Sequence, residues 1–99
     1  MKTISKEQMS DYLEKGQLYQ RLSQGIIDVT VEISHGADRE LSRVHLCAWE
    51  IDADGYLVKD KKGKYKGLAI RISSWETKRK NDGALLKMKN YLTKHGVEL

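Results

Sequence analysis

The chain has no proline, no phenylalanine and a single cysteine among its 99 residues. With no second thiol, Cys47 has no intrachain disulfide partner, so the fold must rest on its apolar core, and the expected compartment is a reducing one, the cytoplasm. With no proline-rich or low-complexity linker there is nothing to separate modules, and a chain of this length buries one core. A single domain over residues 1–99 is expected. With no phenylalanine, the core must draw its aromatic rings from 2 Trp and 5 Tyr. No stretch reaches the roughly 18 consecutive apolar residues of a spanning helix, and Met1 to Lys6 lacks the apolar run of a secretory signal. No membrane partner is expected.

An apolar fraction of 39% with 32% charged residues is that of a chain that folds and stays in solution. The net charge of +4 is unevenly distributed. Residues 1–58 carry 6 Lys and Arg against 10 Asp and Glu, whereas residues 59–80 carry nine basic residues against Asp60 and Glu76. Such a local excess attracts polyanions over about a Debye length, roughly 8–10 Å at cellular salt. Lysines on a hairpin also keep a strand edge soluble, so the run alone does not name a ligand.

Ser5-Lys6-Glu7-Gln8 has the form of a capping box, and Met9, Tyr12 and Leu13 follow at helical spacing. A helix is predicted from here, with Gly16 either ending or weakening it and Gly25 closing the segment. Ile27, Val29, Val31 and Ile33 then alternate with polar residues, the pattern of a half-buried strand. His35-Gly36-Ala37-Asp38 supplies turn chemistry. Arg43 to Ile51, apolar on both sides, reads as a central strand. Asp54-Gly55 signals a tight hairpin, with Tyr56 to Val58 returning. Tyr65 to Ile72 is a further strand in which Gly67 marks a bulge, and Asn81 or Asp82 caps a last helix with Leu85, Met88 and Leu92 as its stripe. His95-Gly96-Val97 resembles a helix stop. The expected fold is α+β: an N-terminal helix, an antiparallel three- or four-stranded sheet with a basic hairpin, and a C-terminal helix.

Candidates for catalysis are few. His45 and Cys47, two apart on one strand, share a face and have the chemistry of a nucleophile with its base, or of two metal ligands, and two ligands do not hold zinc. Asp52, Asp54 and Gly55 start like a calcium loop, but no glutamate follows at the ligand position. Gly63-Lys64-Tyr65-Lys66-Gly67 lacks the Walker spacing. The expectation is a protein without enzymatic activity, cofactor or metal.

Single-stranded nucleic acid is held by a basic groove along the phosphates and by aromatic rings on which bases stack. Both ingredients lie within residues 59–80. The candidate contacts are Lys59, Lys61, Lys62, Lys64, Tyr65, Lys66, Arg71, Trp75, Lys78, Arg79 and Lys80. Trp49, on a strand apolar on both faces, is expected in the core.

The run Val44 to Glu50, then Asp52-Ala53-Asp54-Gly55-Tyr56, then Gly63 to Ile70 and Trp75 is similar in order to the positive-cofactor-four type of single-stranded DNA-binding coactivators. The resemblance covers about residues 43–92. It implies a curved antiparallel sheet carrying a basic hairpin, with Lys59, Lys61, Lys62, Lys64 and Lys66 on phosphates and Trp49 or Tyr65 on bases. It also implies a homodimer formed through the helix from Asp82. The competing class is the small phage- or mobile-element-type accessory protein that binds and modulates a host protein. There the lysines would meet an acidic surface and the exposed aromatics would serve as interface anchors.

Overall fold

Ser5 and Gln8 close the capping box as their spacing demands: the Ser5 hydroxyl accepts from the Gln8 N–H, and the Gln8 side chain accepts from the Ser5 N–H. They open helix α1, Lys6–Leu22, which runs straight through Gly16. Its buried face is Met9, Tyr12, Gly16 and Tyr19, so Tyr19 takes the inward position and Leu22 is exposed. Gly16 is there for contact: a Cβ would lie 2.7 Å from Cδ2 of Leu46 in the sheet. Strands β1 (Ile27–His35), β2 (Leu41–Glu50) and β3 (Gly67–Ser73) follow, then helix α2 (Lys78–Lys94). The computed structural model describes residues 2–99.

The strands form one antiparallel sheet in the order β1-β2-β3, with Val29 opposite Ala48, Val31 opposite Leu46, and Ile70 and Ile72 opposite Leu46 and Val44. These side chains share one face, and both helices cover it. Met9, Tyr12, Val44, Leu46, Ala48, Ile72, Met88 and Leu92 belong to a single core cluster. Burying each of the larger aliphatic side chains there stabilises the fold by about 1.5–3 kcal/mol.

Helix α2 starts earlier than its apolar stripe suggests. Thr77 is the N-cap, accepting from the Lys80 N–H, so Lys78, Arg79 and Lys80 form the first turn rather than a loop before it. Asn81 is buried instead of capping: its Oδ1 accepts from the Ser73 N–H at 3.2 Å and its Nδ2 donates to the Ser73 carbonyl at 2.9 Å. One side-chain amide thus closes the end of β3. At the other end Gly96, at φ 93°, donates to Thr93 and Val97 to Leu92, with Val97 buried. This is the helix stop that His95-Gly96-Val97 foreshadowed.

Between the helices, the Tyr12 hydroxyl donates to Asp82 Oδ1 at 2.7 Å, while Lys78 Nζ holds the other carboxylate oxygen at 2.6 Å. Burial, then the bond to Asp82, pushes Tyr12 up to about 12. Burial also raises Tyr19 and Tyr91. A tyrosine whose folded pKa lies above its unfolded value contributes stability that is complete below the unfolded value and lost as pH rises through the folded one. The urea midpoint is therefore expected to hold from about pH 7 to 9 and to fall between about pH 10 and 12, the unfolded tyrosine titrating near 10. Tyr12→Phe should make that fall shallower and cost about 1 kcal/mol at neutral pH for the lost hydrogen bond. An unchanged alkaline slope in the variant would contradict this assignment.

Candidate nucleic-acid interface

The lysine-rich segment is an excursion from the sheet built of two identical turns. Asp52 Oδ1 accepts from the N–H groups of Asp54 and Tyr56, and Asp60 Oδ1 accepts from those of Lys62 and Lys64. In each, the glycine three residues after the aspartate has positive φ, 85° at Gly55 and 80° at Gly63, which is why glycine stands there. Tyr56 to Val58 does return, but as bridges (Ile51 to Leu57, Lys59 to Tyr65) rather than as a fourth full strand. The tip lysines Lys61, Lys62 and Lys64 are exposed. No excursion lysine makes an ion pair among the described residues.

Strand alternation sorts the excursion into two sides. Ile51, Leu57, Lys59 and Tyr65 continue the register of Trp49 and Gly67, which point away from the helices. Lys59 Nζ lies 5.2 Å from the centre of the Tyr65 ring, a cation–π contact, and Tyr65 is 50% exposed. Glu50, Val58 and Lys66 point to the helix side, where the Tyr91 hydroxyl of α2 reaches Glu50 at 3.2 Å.

The face away from the helices is uncovered. Its rows across β1, β2 and β3 are Asp28, Trp49, Gly67; then Thr30, Cys47, Ala69; then Glu32, His45, Arg71; then Ser34, Arg43, Ser73. Trp49 is thus not a core residue. It is half-buried on the open face, and it lies over Gly67, where a Cβ would come within 2.8 Å of its Cε3 and 2.2 Å of the Ala48 carbonyl oxygen. Gly67 accordingly marks this close approach and not a bulge. The β2–β3 register is regular there, and the sheet's irregularity is at Ser34 and His35.

The sequence-predicted site divides in two. Lys59, Lys61, Lys62, Lys64, Tyr65 and Lys66 stand at one end of the sheet, with Arg71 on the open face between the ends. Trp75, 48% exposed, and Lys78, Arg79 and Lys80 stand past Ser73 at the other. The seven residues of β3 separate the ends, about 20 Å from Gly67 to Ser73 at 3.3 Å per step. The far cluster is also partly neutralised, because Lys78 pairs with Asp82 and Lys80 with Glu76. Trp49 is the functional candidate that a reading of periodicity assigns to the core. A small residue opposite a large aromatic, Gly67 against Trp49, is the signal that marks it.

Glu32, His45 and Cys47 line up on the same face, with Glu32 Oε2 3.8 Å from His45 Nδ1 and Cys47 Sγ 3.5 Å from His45 Nε2. Burial pushes the Cys47 thiol up, a hydrogen bond with Thr30 offsetting part of the shift. An activated cysteine shows the opposite displacement. No cluster of three or more His, Cys, Asp or Glu able to hold a metal occurs among the described residues. A cleft of about 450 Å³ lies at the β1 edge, between Arg21 of α1 and Gly55, and none of the site lysines lines it.

Gly67→Ala is expected to destabilise the fold by about 1–3 kcal/mol, as overpacking does, and to shift tryptophan emission to longer wavelength as Trp49 lifts into water. Urea denaturation and emission spectra check this, and wild-type values in both would contradict the packing described. Comparison with protein-family models, with curated proteins and with solved structures finds no match to this chain.

Proposed function

We propose that this chain is a non-catalytic, cytoplasmic protein that binds single-stranded nucleic acid across the open face of its sheet, at the excursion end. The observation that carries the reading is Trp49, held over Gly67 on an uncovered face and sharing that face with Tyr65 and Lys59. Flat rings beside unpaired lysines provide stacking for bases and countercharge for phosphates. Lys61, Lys62 and Lys64 at the second turn add countercharge at the rim, and Arg71 extends it along β3. Stacking requires exposed base faces, which a single strand offers and a duplex interior does not.

The second reading, an acidic surface of a protein partner, is favoured by Tyr56, 72% exposed beside the exposed Leu57. Such aromatic and apolar side chains anchor protein interfaces. A protein partner would survive nuclease treatment, whereas phosphate binding weakens log-linearly with salt.

The test is fluorescence of a Trp75→Phe variant, in which Trp49 is the sole indole, titrated with single-stranded and duplex oligonucleotides across a salt series. Single strands are expected to quench Trp49 and bind more tightly than duplex. Trp49→Ala and Tyr65→Ala should each weaken binding by about 1–3 kcal/mol, roughly 5- to 150-fold. Absence of binding at low salt, or binding that leaves Trp49 emission unchanged, would sink the reading.

A further inference from the structure

Helix α2 carries six Lys and Arg against one acid, Asp82, and the open-face site uses none of them. Its two flanks are identified by their contacts. The flank of Asp82 faces α1, through Tyr12. The opposite flank holds Tyr91, which reaches Glu50 at the root of the excursion, with Lys87 four residues before it and Lys94 three residues after. Residues at these spacings share a helix face. Lys80 continues the row another seven residues back, so Lys80, Lys87 and Lys94 form a track about 21 Å long at 1.5 Å per residue. All three are exposed, Lys80 pairs with Glu76, and Lys87 and Lys94 make no ion pair among the described residues.

This track begins where the open-face site stops. Lys66 alternates with Gly67 and so points to the helix side of the sheet, toward Glu50 and the end of α2. Basic groups therefore continue from Lys59 on the open face, through Lys66 at the junction where its backbone bonds both Glu50 and Val58, to Lys94 and Lys87 beneath. A chain of phosphates following them keeps a countercharge beside it throughout.

We infer that Lys66, Lys94, Lys87 and Lys80 form a second, phosphate-only segment of the binding site. A single strand leaving the open face would cross the β3 edge and lie along α2. The inference rests on the open-face reading and adds to it a prediction of length: short oligonucleotides occupy only the stacking face, and longer ones also engage the helix. The rings on this flank, Tyr91 and His95, are half-buried and packed against each other with centroids 4.4 Å apart, so the segment should contribute countercharge alone, read as salt dependence.

The test compares oligothymidylates of about 5 and about 15 nucleotides, spanning the known range of single-domain site sizes, on wild type and on a Lys87→Ala, Lys94→Ala double variant. Alanine keeps an exposed helix position helical, and circular dichroism verifies it. The long oligonucleotide should lose about 1.4 from the slope of log affinity against log salt, roughly 0.7 per phosphate contact, while the short one keeps its affinity and slope. An unchanged slope for the long oligonucleotide, or an equal loss for both lengths, would overturn the helix segment while leaving the open-face site standing. If wild type binds neither length, the open-face reading itself fails and takes this inference with it.

Discussion

The inward row of β2, Val44, Leu46 and Ala48, is fully buried, and every other element is placed by packing on it or beside it. Helix α1 approaches so closely at Gly16 that an added Cβ would meet Leu46 Cδ2 at 2.7 Å. Strands β1 and β3 set Val29, Val31, Ile70 and Ile72 level with the row, and Met88 and Leu92 of α2 complete the cluster. A three-stranded sheet with both helices on one side leaves its second face to water. That asymmetry follows from the packing of β2, and it leaves one whole sheet face open to a ligand.

On that face the chain resolves a conflict between burial and exposure. A tryptophan on the solvent side of a central strand presents a large apolar ring to water, a feature that marks interaction surfaces when other such groups adjoin it. Gly67 gives the indole a flat floor of backbone, and two residues before Gly67 the Tyr65 ring carries the Lys59 ammonium. The excursion then sets lysines at its rim on turns rigidified by Asp52 and Asp60, whose carboxylates each bind two backbone N–H groups. Ordered turns lower the entropy that binding must remove. Charge is also segregated across the sheet, with Asp28 and Glu32 on β1 and Arg71 on β3, an arrangement that would favour a polyanion at the β3 edge over the β1 edge.

What was legible in the sequence was local. The capping box at Ser5, the period of two in β1 and the Gly96 stop each depend on residues a few positions apart, and each stands where its pattern put it. The start of α2 was not, because its first turn is wholly polar and Asn81, read as a cap, bonds to a strand eight residues back. Only with Lys80 inside the first turn does it share the seven-residue spacing of Lys87 and Lys94. Trp49 reads as inward because a strand apolar on both sides is usually covered on both, and which face the helices choose is a property of the whole chain. The candidate contacts, adjacent in sequence from Lys59 to Lys80, are drawn to two ends because an extended strand lies between them.

Whether the sheet face carrying Trp49 is the surface that meets a single strand is open to direct observation. Backbone and indole chemical-shift mapping during titration with a single-stranded oligonucleotide tests it most directly. Shifts are expected at the Trp49 indole N–H, Lys59, Tyr65 and Gly67 to Arg71, with α1 unperturbed. Shifts centred on α1 or on the turn from Gly36 to Glu40, or none at saturating oligonucleotide, would contradict it.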